Sequence, residues 1–277
     1  MRPNISSRLT VIIVVIAAVL TLVQFTSAQA QDPLITKVIR ISGLRGQLQN
    51  MPTAFLMTIP ADLFLDNRSR SDFNTRMKDE ISPENLIEIF EETLSENIDN
   101  DKLNQVIKFY ESNLGRKVGR IQNDALSTYS IRVVREGRKF ATAIDDDRTR
   151  ILERLIDSLR IYQTNLMYRK LIVRLIGSTG WSEQPKSEDT REAKLESVEN
   201  SLGRDSDSLR QMALTCFANT YKSLNDSELV SLTEFYETQA GIWFQDRVSR
   251  AFEKVIIKII GALDQGLRNL RPKDNRN

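Results

Sequence analysis

The chain has 277 residues, with 39 Lys and Arg against 37 Asp and Glu, a single cysteine and no histidine. Without histidine there is no Ser-His-Asp or Cys-His site, no His-ligated zinc or iron, and no unperturbed switch near neutral pH. One cysteine excludes an internal disulfide, a CxxC redox pair and a thiolate metal site.

At the N-terminus Arg2 and Arg8 precede the uncharged stretch Leu9 to Phe25, and Ser27-Ala28-Gln29-Ala30 supplies a small-x-small pattern. This is the composition of a secretory signal peptide over residues 1–30, with Ala28 and Ala30 at the cleavage site. The alternative is an uncleaved anchor, because the stretch sits at the lower edge of a spanning helix of about 17–25 residues. Either way the chain is expected to be exported. Arg2 and Arg8 fall in the leader and no acid does, so the remainder balances at 37 of each sign. That balance argues against nucleic acid or a broad anionic surface as partner.

Beyond the leader the apolar spacing is helical almost throughout, and no run alternates with period two, so the predicted class is all-α. Ile35, Val38, Ile39, Ile41, Leu44, Leu48 and Met51 predict a first helix, loosened by Gly43 and Gly46. Pro52 to Phe64 reads as short pieces broken at Pro60, and Asn67 to Asp72 as a polar connection. Ser82-Pro83-Glu84 opens the next helix: a hydroxyl cap, proline at the first position and an acid at the positive end. Asp99-Asn100-Asp101 opens another, carrying Leu103, Val106, Ile107 and Tyr110 on one stripe. A long helix is expected from Asn113 through Val118, Ile121, Ala125, Tyr129, Val133 and Phe140 to Ile144. Asp145-Asp146-Asp147 starts the following one, with Ile151, Leu155, Leu159, Tyr162 and Leu166 inward. Residues 177–208 are polar, with Gly177, Gly180, Pro185, Gly203 and a solitary Trp181, and read as a linker or exposed insertion. Leu209 to Leu224 is helical again, and Asn225 with Glu228 has capping-box spacing. A final helix takes Phe244, Val248, Ala251, Phe252, Val255, Ile259 and Leu263 inward. Cys216 lies in an apolar stripe beside Phe217, the setting of a small buried hydrophobe.

One segment is written twice. Phe109 to Gly115 reads FYESNLG and Phe235 to Gly241 reads FYETQAG, 126 positions on. The match extends over residues 101–126 and 227–252, pairing Leu103 with Leu229, Ser112 with Thr238 and Ala125 with Ala251. An Arg-Ile pair at Arg40-Ile41 recurs at Arg160-Ile161, hinting that the first helix is repeated too. The expectation is a duplicated helical module. The first copy covers 31–145, and the second covers 146–266 and carries the polar insertion at 177–208. A disordered basic tail follows at 267–277. In each copy the hydroxyl of Ser112 or Thr238 is suited to cap the next helix. Gly115 or Gly241, three residues on, lets that helix approach the preceding one closely. Adjacent Phe109-Tyr110 and Phe235-Tyr236 point about 100° apart and can engage two neighbours.

FYESNLGRKV and FYETQAGIWF resemble the FY-x-[ST]-x-x-G signature of the bacterial family catalogued as domain of unknown function 2059. The approaches NDKLNQVIKFY and DSELVSLTEFY resemble that family as well. The resemblance implies small exported helical domains of the diderm envelope, hence a periplasmic location, and it carries no chemistry. The second copy departs after the glycine, with Ile242-Trp243 where the first has Arg116-Lys117.

No catalytic residue, cofactor or metal ligand set emerges. Asp145 to Asp147 diverge in direction and lack an EF-hand turn. Glu91, Glu92, Glu111 and Glu237 read as exposed helix residues, available for acid–base work only if one is buried beside another. The sequence therefore points to a non-enzymatic envelope adaptor, scaffold or assembly factor with a protein partner or self-association. The alternatives are a carrier of an apolar ligand lined by Phe109, Tyr110, Phe235 and Tyr236, and a carboxylate-only hydrolase.

Overall fold

The computed structural model describes residues 33–59, 64, 66–124, 144–161 and 206–268. Within them the chain is helical and holds no strand, so the fold is all-α. Residues 1–32 with Ala28 and Ala30, Pro60, Trp181 and the end of the expected tail lie outside the described residues.

Helix α1 spans Pro33–Ile41 and α2 spans Leu44–Thr58, where the periodicity alone predicts one continuous helix. The chain turns between them at Gly43, which takes φ +84°, a left-handed conformation that favours glycine. The turn lets this corner lie backbone to backbone on α6, which spans Asn113–Asn123. A Cβ on Gly43 would stand 1.9 Å from the carbonyl oxygen of Gly119, and one on Gly119 would stand 2.1 Å from that of Ile41. Helix α2 then runs through Pro52 rather than breaking into pieces. Leu48, Met51, Ala54 and Phe55 are buried on both sides of the proline, and their packing offsets the lost backbone hydrogen bond.

The predicted polar connection at Asn67 to Asp72 is instead the first half of α3, Asn67–Glu80. Asp66 caps it, a side-chain oxygen accepting from Ser69 N at 2.7 Å. Phe73 and Met77, one turn apart, are its buried anchors. Helices α4 (Pro83–Ser95) and α5 (Asn100–Glu111) start as expected, Ser82 Oγ accepting from Asn85 N and Asp99 Oδ1 from Lys102 N. Helix α6 stops at Asn123, well short of the predicted long helix, and residues 125–143 lie outside the described part. Helix α7 spans Asp146–Ser158 with Asp145 as its cap. It ends before Arg160, whose φ is 51°, and Tyr162 to Ile176 are again outside the described residues.

Helix α8 spans Ser206–Thr220, so residues 206–208 of the predicted insertion belong to its first turn. Asn225 closes a capping box with Glu228 at the start of α9, Asp226–Glu237. Helix α10, Gln239–Arg268, reaches into what the sequence suggests is tail. Its 30 residues make it about 45 Å long. It lies along α3, α4 and α5, all from the first half, as well as against α9. Phe90 of α4 meets Phe252 of α10 edge-on at 4.7 Å. Arg247 donates to the carbonyl of Asn97 and Lys254 pairs with Glu96, both at 2.7 Å. The segments 31–145 and 146–266 therefore share one apolar core. Among the described residues no helix is long and apolar enough to cross a membrane.

Candidate functional site

The two repeated segments form two elbows of the same construction. Ser112 Oγ accepts from Gly115 N at 3.0 Å, and Thr238 Oγ1 accepts from Gly241 N at 3.0 Å. The backbone follows suit: Ser112 N donates to Phe109 O at 2.9 Å and Thr238 N to Phe235 O at 3.1 Å. Each glycine seats the new helix on the last turn of the old one. A Cβ on Gly115 would lie 2.0 Å from Phe109 O and 2.5 Å from Tyr110 Cα; on Gly241 it would lie 2.2 Å from Phe235 O and 2.7 Å from Tyr236 Cα.

The elbows meet each other, like residue on like residue. The rings of Phe109 and Phe235 stack at 3.7 Å with planes 4° apart. The hydroxyls of Tyr110 and Tyr236 are 3.1 Å apart. Residues that correspond under the 126-position offset thus touch one another, as residues on the axis of an isologous interface touch their own mates.

Two further side chains complete a buried polar cluster there. Gln122 of α6 accepts from the Tyr110 hydroxyl at Oε1 (3.3 Å), and its Nε2 donates to Tyr221 (3.3 Å) and Tyr236 (3.2 Å). With the Tyr110 proton committed to Gln122, the remaining bond must run from Tyr236 to Tyr110. The donors then circulate in a closed ring, Gln122 to Tyr236 to Tyr110 and back to Gln122, with Tyr221 as a branch. All four side chains are buried, Gln122 being the most accessible at 7%. Burial raises the ionisation range of Tyr110, Tyr221 and Tyr236, and Tyr236 adds to the effect at Tyr110 and Tyr221. Three neutral phenols around one amide are a cohesive cluster, with none of them poised to act as a base.

Charged pairs brace the periphery. Lys117 of α6 reaches across to Glu228 of α9 at 2.7 Å, and the same carboxylate accepts from Asn225 N. The Lys117 ammonium beside it, with that backbone bond, lowers the Glu228 ionisation range. Arg148 donates to Asp226 and to the carbonyls of Tyr221 and Leu224, tying α7 to the turn between α8 and α9.

The candidate carboxylates do not converge. Glu111 pairs with Lys37 and Glu237 with Arg154, both on the surface, and Glu92 is exposed. Glu91 departs from expectation: it is 1% exposed. Helix α4 is covered by α2 on one side and α10 on the other, which widens its buried arc to take in this position. Asp145 is a helix cap and Asp147 pairs with Arg150 within the same turn. Cys216 is 3% exposed, and burial pushes its thiol up to about 12. A shallow cleft between α3 and α10, with Asp79, Glu80 and Gln265 on its rim, lies at the opposite end of α10 from the elbows.

Gln122 and the Lys117–Glu228 bridge were not singled out by sequence reasoning. The signal for Gln122 was present: Gly115, Val118, Gly119 and Gln122 recur at helical spacing and are the buried stripe of α6. The apolar reading favoured Val118, Ile121 and Ala125 instead, a stripe rotated by one residue.

The fold and site define an all-α protein whose two halves are joined at paired aromatic elbows. Compared with protein-family models, with curated proteins and with solved structures, the chain matches none.

Proposed function

We propose that this chain is an exported, non-enzymatic helical protein built from two copies of one module. It serves in the bacterial envelope as an adaptor, scaffold or assembly factor for a protein partner or for another copy of itself. The observation that carries the reading is the junction. The residues of both elbows hold one half of the chain to the other, and the polar cluster between them closes on itself. Duplication is supported by the recurrence of caps, glycines and aromatic pairs at one offset, and by the contacts that link equivalent residues. Export is supported by the composition of the leader, and the envelope by the resemblance to domain of unknown function 2059.

The carrier reading needs Phe109, Tyr110, Phe235 and Tyr236 to face a ligand. These four rings face one another, so a ligand would have to part them. A hydrolase reading needs two carboxylates converging on one point, and the candidates Glu111 and Glu237 lie in separate surface ion pairs.

The test is native mass spectrometry on the protein drawn from its own host's envelope. The expected spectrum contains a stoichiometric protein companion or a dimer. A small-molecule adduct released on denaturation would move the assignment to the carrier. A bare monomer that captures nothing would sink the adaptor.

A further inference from the structure

The two halves share a second set of equivalent contacts, away from the buried junction. Lys37 of α1 pairs with Glu111 at the end of α5, and Arg154 of α7 pairs with Glu237 at the end of α9, each at 2.6 Å. Setting Arg154 against Lys37 also sets the buried Leu152, Leu155 and Ile156 against Ile35, Val38 and Ile39. The left-handed Arg160 then falls where Gly43 stands. The outgoing helix touches that turn in both halves: Gly119 lies against the carbonyl of Ile41, and Gln245 Nε2 donates to that of Leu159 at 3.2 Å. This register replaces the one that the two Arg-Ile pairs suggest.

Each half therefore builds one surface from the same pieces, the end of its first helix and the two arms of its elbow. The charges on that surface are opposite. Arg40, Lys108 and Arg120 in the first half correspond to Asp157, Glu234 and Asp246 in the second, and all six are exposed. Arg40 lies one turn beyond Lys37 and Lys108 one turn before Glu111, and neither enters an ion pair among the described residues. Arg116 folds back on the carbonyl of Glu111, and Arg120 on that of Arg116, so the cations continue from the pair. In the second half Asp157 and Glu234 flank the Arg154–Glu237 pair in the same way. Asp246 and Asp157 are met by Arg160 at 3.2 Å and Arg210 at 4.0 Å, surface contacts that an incoming guanidinium can share. Arg116 gives way to half-buried Ile242, an apolar spot for the stem of an arginine.

A basic face of this shape has its complement on the chain itself, with the opposite charges set out on equivalent helices. Beyond residue 30 the charges of the whole chain balance, so no long-range repulsion holds two copies apart. On the reading that the chain is a duplicated module that associates with copies of itself, we propose that the basic face of the first half docks on the acidic face of the second half of another copy. Such a contact is heterologous. It leaves one face of each kind open, and so joins copies head to tail into a row or a closed ring. Exposed charges hold it, so complementarity steers it and salt weakens it.

The experiment reverses one face at a time in the whole protein. Arg40→Glu with Lys108→Glu makes both faces acidic, and Asp157→Lys with Glu234→Lys makes both basic. Sedimentation velocity follows each at ionic strengths of about 0.01 M and about 1 M, where charges are felt over about 30 Å and about 3 Å. Wild type is expected to associate at the lower and disperse at the higher, with a zero-length carbodiimide joining Lys108 to Glu234 between isotopically distinct chains. Each double variant is expected to associate about tenfold more weakly, and their equimolar mixture to regain the loss, because basic faces of one then meet acidic faces of the other. Lys108→Gln, which removes one charge and reverses none, is expected to weaken association about threefold, and it carries the test should a double variant lose helicity. Variants that associate as wild type does, or a mixture that stays monomeric, overturn the pairing of these faces. A wild type that holds a companion protein in native mass spectrometry yet stays monomeric at low salt overturns this inference alone, and the adaptor reading stands.

Discussion

The two elbows are alike up to their glycines and unlike after them. Through Ser112 and Thr238 they share caps, backbone turns and a helix that starts on its predecessor's carbonyl. Beyond the glycine, α6 ends after 11 residues and presents Gln122 to the junction. Helix α10 continues for 30 residues and presents Phe244, whose ring lies 6.1 Å from that of Tyr110. Local rules build an elbow, and the residues one to three turns later decide what it is for. In the first copy the outgoing helix supplies the polar centre. In the second it becomes the spine along which the first half packs.

The comparison can be broken most forcefully at high pH. The phenols of Tyr110, Tyr221 and Tyr236 have folded ionisation ranges raised above their unfolded values. The stability they contribute is complete below the unfolded range, near pH 10, and falls as pH rises through it toward the folded values. Three such groups give a slope of up to about 4 kcal/mol per pH unit. Absorbance titration should show these three of the chain's six tyrosines ionising only as helicity is lost. Tyrosinate appearing in all six while circular dichroism is unchanged would mean the cluster is open to water.

The next effect is steric. Gly115→Ala and Gly241→Ala each force a methyl group against a backbone carbonyl, and each should cost about 3 kcal/mol in urea unfolding. Equal losses would confirm that the elbows are mechanically equivalent; a tolerated alanine at either site would separate them. Gln122→Leu tests where they differ. It removes the amide that three phenols share and should cost about 2 kcal/mol. Tyr221→Phe removes a branch and leaves the ring closed, so about 1 kcal/mol is expected. Smallest is the acid limb. Glu228 and Glu237 have lowered ionisation ranges, through Lys117 and Arg154 respectively. Their contribution is present above the unfolded carboxylate range and is lost as pH falls through the folded one. Because these groups are near the surface, added salt should shrink the effect, which pH-dependent unfolding at two ionic strengths would measure.

Helix identity and several starts were legible because caps are local: Ser82, Asp99, Asp145 and Asn225 announce themselves within four residues. Helix ends were read less well. The break at Gly43 depends on Gly119, more than seventy positions away, and a glycine in an apolar stripe does not declare whether it bends the chain or admits a neighbour. Asn67 to Asp72 looked like a loop because so few of α3's side chains face the core, and the weight of the Asp66 cap was missed. The repeated motif marked two helix–turn–helix elbows in the sequence, yet that the elbows meet each other did not follow from it. Gln122 enters through a stripe one residue away from the apolar one. Glu91 is buried by two helices, α2 and α10, that the local pattern around it cannot reveal.

Helix α10 also fixes the order in which this protein can become itself. Among the described residues it lies farthest along the chain, and it covers α3, α4 and α5, which come well before it. Until it emerges, Phe90 lacks Phe252, and the turn after α4 lacks Arg247 and Lys254. The first half therefore cannot finish its core before α10 is made, however soon its own helices form. A chain arranged in this way postpones its own closure until α10 has joined it.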